Sequence, residues 1–253
     1  MKMKSVCSSL LFLASSFGLC YAQGTKDDVH LIQNLFFDSA KAPKTYINGG
    51  LDYASFDFLN RFTAGGSVHA PVSPLLEVGA GLNYLNLNPE VGDSRSGLSD
   101  LFVSGKYHLD FEQAQLAAGG FVTFPLGSDE VGGGSFDFGG FGAGRLGLLE
   151  STVLTGMVGL FSFDVGSSQN SSGNVVSDRD FVLQLAPGII HQLNDKTHLI
   201  GELTIQTNTS FMQLSVGGDL ETSSKGRFRP AIALGLDNAA PDISLTASYL
   251  VSF

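Results

Sequence analysis

The chain has 253 residues, is 43% hydrophobic and only 15% charged, and carries a formal net charge of −10. That acidity argues against a nucleic-acid partner, which needs Lys and Arg against phosphate. Beyond the N-terminus no run approaches the ~18 apolar residues of a membrane helix. Yet charge is scarce, and Gly (32) and Phe (20) are abundant.

The first residues predict export. Lys2 and Lys4 form a positive start, an apolar stretch follows to Leu19, and Cys20-Tyr21-Ala22 offers small residues three and one before a cut. Residues 1–22 therefore read as a signal peptide cleaved after Ala22. Lipidation at Cys20 is disfavoured, because Leu19 stands where a lipobox wants a small residue. Cleavage would remove Cys7 and Cys20, leaving no thiol chemistry. It would also remove two lysines, taking the charge to about −12. Low charge without a helical span, in an exported chain rich in Gly and Phe, is what a membrane barrel requires. Residues 23–43 follow with no clean period, although Val29, Leu31, Ile32, Leu35, Phe36 and Phe37 are apolar. They read as a periplasmic lead-in, a short helix or a plug in the barrel mouth.

From residue 44 onward the sequence predicts an all-β, antiparallel transmembrane barrel of about twelve strands. The strand-like segments lie near 44–57, 60–70, 75–87, 98–109, 114–125, 136–148, 151–165, 178–193, 197–208, 210–222, 226–237 and 242–253. In the third, Leu76, Val78, Ala80, Leu82 and Tyr84 alternate with Glu77, Gly79, Gly81 and Asn83. In the ninth, Leu199, Gly201, Leu203 and Ile205 alternate with Glu202, Thr204 and Gln206. In the last, Ile243, Leu245, Ala247, Tyr249, Val251 and Phe253 oppose Ser244, Thr246, Ser248 and Ser252, with Leu250 the single exception. Period-two alternation is that of a strand between two solvents. An apolar face with nothing to cover it suits lipid, and a terminal Phe253 resembles the signal by which bacterial assembly machinery recognises barrels. Such a chain takes outer-membrane lipid and that machinery as its partners, in the cell outer membrane of a Gram-negative-type bacterium.

The longer polar connections fall at 88–97, 126–135 and 166–177, between short ones, as expected if the N-terminus is periplasmic. Twelve strands ~4.8 Å apart and tilted ~40° enclose a backbone diameter on the order of 24 Å, too narrow after side chains for a wide pore.

Residues 97–148 carry a further pattern: Gly97-Leu98-Ser99-Asp100, then Lys106-Tyr107, then Phe124-Pro125-Leu126-Gly127 and a Gly-rich loop. This resembles the outer-membrane transporter family labelled "MetA-pathway of phenol degradation", with Ser99 in place of a Gly and Leu126 in place of a Thr. The resemblance implies a barrel and a role in moving small organic compounds.

On the same alternation Asp100, Phe102, Ser104, Lys106 and His108 face the lumen. Asp100 and Lys106 are six residues apart, roughly 20 Å along a strand, so each needs a partner elsewhere. They read as charges that lock neighbouring strands, with solute contact as the alternative. His69, Glu77 and His108 point inward near the periplasmic ends of three successive strands, either as a hydrogen-bonded belt or as a metal or proton-relay site. Arg61, Arg145, Arg227 and Arg229, with Asp52, Glu202, Asp219 and Glu221, complete an interior mixed in sign. His191 and His198 read as periplasmic-interface residues. No Gly-x-Ser-x-Gly, His-Glu-x-x-His, Ca-loop or P-loop pattern is present, so the sequence suggests neither an enzyme nor a bound cofactor or metal. The Gly-rich run from Phe136 reads as barrel wall rather than phosphate cradle. The expected function is a channel for small, hydrophobic or aromatic solutes. The alternative is a structural or surface-interaction barrel with a closed lumen.

Overall fold

The computed structural model describes residues 28–111, 114–169 and 175–253. The expected signal peptide and Cys7 and Cys20 lie outside the described residues. Thirteen strands form one antiparallel sheet: β1 (Tyr46–Phe56), β2 (Leu59–Ser73), β3 (Leu76–Pro89), β4 (Arg95–Leu98), β5 (Leu101–Asp110), β6 (Ala114–Phe124), β7 (Phe138–Leu149), β8 (Thr152–Gln169), β9 (Val175–Asn194), β10 (Thr197–Gln206), β11 (Phe211–Ser223), β12 (Gly226–Gly235) and β13 (Ile243–Ser252). Consecutive strands pair, except that β5 pairs with β3 rather than β4, and β1 pairs with both β2 and β13, which closes the sheet into a barrel.

The wall has twelve strands, because β4 and β5 lie end to end along the same edge of β3. Tyr84 pairs with Leu98 and Gly81 with Phe102, so one extra residue bulges out between them at Ser99–Asp100. Two expected loops are corrected here. The 88–97 connection already contains β4, and the 166–177 connection is mostly strand, since β8 runs to Gln169 and β9 starts at Val175. A strand that passes beyond the lipid belt meets water on both faces. It loses the apolar alternation that would reveal it.

Polarity is inverted relative to a soluble barrel. Leu51, Tyr84, Tyr107, Leu160, Leu185, Leu245 and Tyr249 point outward and are exposed. His69, Glu77, Lys106, Glu202, Asp219 and Arg229 point inward and are each at most 2% exposed. Main-chain groups are satisfied within the closed ladder, so such a wall can sit in hydrocarbon. Leu250, the exception on the last strand, is 5% exposed and packs with Ala42 and Tyr46. It is apolar on the inner face because the stretch preceding β1 lies inside the barrel.

Candidate functional site

Residues 28–43 occupy the barrel interior as an irregular stretch of turns and bends, with Val29, His30, Leu31, Asn34, Phe36, Asp38, Ser39, Ala40 and Ala42 buried. A peptide without secondary structure in an enclosed space needs partners for its own amides and carbonyls. The inward charges of the wall supply them. Arg145 donates to Val29 O at 2.7 Å, and Arg229 donates to His30 O at 2.6 Å and Leu31 O at 2.8 Å. Glu202 accepts from the amides of Ile32 and Gln33, both at 3.0 Å. Lys106 donates to Ala40 O at 2.9 Å, and Glu77 accepts from the Ala42 amide at 3.2 Å. The partner that Lys106 needed is therefore mainly this segment rather than a neighbouring strand.

These contacts form an ionic tier at the end of the barrel that carries β1's start and the short turns. Arg227 bridges Asp28 (3.0 Å) and Asp219 (2.6 Å), and Asp219 also meets Arg229 at 3.2 Å. Lys106 stands 3.7 Å from Asp38 and 3.8 Å from Glu77. Within the segment, His30 Nδ1 lies 3.1 Å from Asp38 Oδ1, and Asp38 accepts from the amides of Leu31 and Ala40. Burial opposes ionisation of Asp38, but His30, Lys106 and Arg145 outweigh it and hold the carboxyl well below the usual carboxylate range. His69, Glu77 and His108 do meet: Glu77 lies 3.4 Å from His108 and 3.8 Å from His69. Lys106 stands beside the same carboxylate, so the cluster is an ion-paired floor under the segment. His198, read as an interface residue, is instead buried inside at 1% exposure. His191 is half-buried on β9, 2.9 Å from Thr152 Oγ1.

Higher in the barrel the wall becomes aromatic. Phe102 on β5, Phe121 on β6, Phe141 on β7 and Phe161 on β8 point inward from adjacent strands and receive Phe36 and Phe37. Phe37 sits 5.3 Å from Phe141, 5.4 Å from Phe161 and 5.6 Å from Phe121, centroid to centroid. Phe36 joins the tiers: it stacks on His69 at 5.3 Å, and the Lys106 ammonium lies 4.9 Å from its ring centroid. The Gly-rich β7 has its reason here, since a Cβ on Gly139 would lie 2.4 Å from Phe161 and 2.7 Å from Phe121. Gln206, Gln184 and Asn34 form an amide chain beside it, at 2.7 and 2.6 Å, and Asn34 also binds Glu202 and Thr204.

The segment leaves one side of the lumen open. A cavity of 390 Å³ is lined by Phe36, Phe37 and Phe102 together with Asn48, Asp52, Asn83 and Arg229. Asn83 is thus exposed to this space. Asp100 is not part of it: from the bulge it accepts from the amides of Gly127 (2.9 Å) and Gly133 (2.7 Å) and organises the 126–137 loop. A Cβ on Gly127 would lie 2.7 Å from Asp100 Oδ1, which explains a Gly in that motif. Phe253 is exposed at 61%, with its amide on Thr45 O at 2.9 Å.

Sequence reasoning missed Asn34, Asp38 and Gln184, and Arg145's role as a holder of the segment. The inward apolar residues Ile190, Ile200 and Leu250 and the apolar residues of 29–37 were the available signals.

The barrel is of the bacterial outer-membrane type. Its fold is similar to that of an outer membrane channel from Pseudomonas putida F1, with a TM-score of 0.68 and 14% identity over 86% of this chain and 98% of that one. It is also similar to the KdgM porin (TM-score 0.58, 9% identity, 82% and 99% covered). A third likeness is to the deltaS2S3 mutant of the TodX monoaromatic hydrocarbon channel (TM-score 0.54, 12% identity, 92% and 98% covered). No protein-family model and no curated protein sequence matches the chain.

Proposed function

We propose that the protein is an outer-membrane channel for small solutes of hydrophobic or aromatic character, with residues 28–43 as a stopper in its lumen. The observation that carries this reading is the 390 Å³ cavity, whose lining combines the rings of Phe36, Phe37 and Phe102 with the polar side chains of Asn48, Asp52, Asn83 and Arg229. That volume lies within the range of small-molecule sites, and a lining of rings and polar groups suits a ring that carries a polar substituent. The channels of similar fold support it, as does the resemblance of 97–148 to the phenol-degradation transporter family. No bond-breaking step enters this reading. Lipid covers the apolar outer wall, and Phe253 serves the assembly machinery.

A closed structural barrel is favoured by one observation, the filling of the lumen by the segment. Conductance and aromatic-solute flux in lipid bilayers decide between the two, with the wild type compared to a Phe36→Ala/Phe37→Ala chain. Flux in either supports the channel. Two folded proteins that pass neither ions nor solutes leave the structural reading. Deleting Phe253 should lower the amount of protein that reaches the outer membrane severalfold, read by membrane fractionation. Unchanged amounts would remove the assembly-signal role.

A further inference from the structure

The wall holds residues 28–43 as a receptor holds a linear peptide. Seven wall hydrogen bonds, from Arg145, Arg229, Lys106, Glu202 and Glu77, go to main-chain atoms of the segment. Any peptide of the same backbone shape offers those groups. Side chains are read as well: Asp28 by Arg227, Val29 and Leu31 by Ile190 and Ile200, Asn34 by Gln184, Glu202 and Thr204, Phe36 and Phe37 by the inward rings, Asp38 by Lys106 and Arg145, and Lys41 by Asp110. Among the described residues, no main-chain group of 28–43 pairs with the main chain of the wall. The sheet closes through β1–β13 and β2–β3 without it.

We propose that the barrel interior is a peptide-binding site. It accepts a separate linear peptide carrying Asn-x-Phe-Phe-Asp, which exchanges with the chain's own segment. The wall would read such a peptide's backbone with its charges and its aromatic pair with Phe102, Phe121, Phe141 and Phe161. Binding of this kind does not depend on whether solutes cross the barrel.

The test uses the protein in detergent, with Cys7 and Cys20 replaced by Ser, and a fluorescent peptide of residues 28–43, followed by anisotropy. Tethered to β1, the native segment acts at an effective concentration on the order of millimolar and should exclude the peptide from the wild type. The Phe36→Ala/Phe37→Ala chain, with its segment loosened, should bind it. A peptide lacking both Phe rings should bind at least tenfold more weakly, and so should the wild-type peptide to a loosened chain that also carries Arg229→Ala. A Ser39→Cys reporter, buried in the docked segment, shows by maleimide labelling whether the segment has left. Adding Asp38→Arg, which opposes Lys106 and Arg145, enforces release if the double variant stays seated. A segment that remains unlabelled even then overturns exchange. A folded, labelled chain that fails to bind the peptide overturns the site. Neither result touches the channel reading, which is judged by flux alone.

Discussion

The ionic tier and the aromatic tier hold the same short segment by different physics. In the ionic tier a few wall charges each make short hydrogen bonds to main-chain atoms, and each charge has more than one partner. Removing one leaves others buried and unpaired, so the loss is large and not additive. In the aromatic tier no atom pair is decisive, and the contribution is area and ring geometry, which falls off gradually as rings are removed. The charges therefore fix where the segment sits, and the rings make a seat that depends on side-chain identity.

The comparison breaks most readily at Arg229. Arg229→Ala removes hydrogen bonds to His30 O and Leu31 O and one partner of Asp219. It should weaken docking by about 3 kcal/mol, on the scale of lost charged hydrogen bonds and a broken buried pair. Ser39→Cys labelling would then rise by two orders of magnitude, and a rate within threefold of the parent would deny the ionic tier its role. Phe37→Ala touches the aromatic tier alone. A half-buried ring should cost about 2 kcal/mol, below the usual range for a fully buried Phe. The same labelling assay should show a smaller rise, and a loss larger than that of Arg229→Ala would invert the ranking of the tiers.

The smallest expected effect is that of acid. The docked segment holds the Asp38 carboxyl below its ordinary range. Its contribution is therefore complete above the free value of about 3.9 and is lost as pH falls below it. One pH unit below that value, release should have grown by about tenfold. Nicking between Phe36 and Phe37 by an acid protease measures it. Asp38→Asn should flatten the profile; a profile unchanged by that substitution would place the acid sensitivity on Glu77 or another group of the floor.

The barrel was legible in the sequence because lipid and lumen impose period-two alternation, as in Leu76–Tyr84 and Ile243–Phe253. The long arms of β8 and β9 were hidden, since two aqueous faces erase the alternation. The inward set His69, Glu77, Lys106, His108, Glu202, Arg227 and Arg229 was legible by phase, but the partners of its charges were not. An irregular peptide bound through its main chain leaves no periodic trace. Its seat is written instead as departures from the barrel rule: apolar Leu250, Ile190 and Ile200 on the inner face, where small polar residues were expected. Asp100 departed for a different reason, because a one-residue bulge turned its carboxylate toward the outer loop.

The packing of Ala42 against Tyr46 and Leu250 has a mechanical consequence. Tyr46 pairs with Ser252, and Leu250 with Asn48, so these two side chains are diagonal neighbours across the seam where the first and last strands meet. That seam joins the first and last wall strands, which are not consecutive in the chain. The inserted stretch spans it from within and acts as a latch against lateral unzipping. Sideways force on the wall should separate β1 from β13 sooner once the latch is lifted.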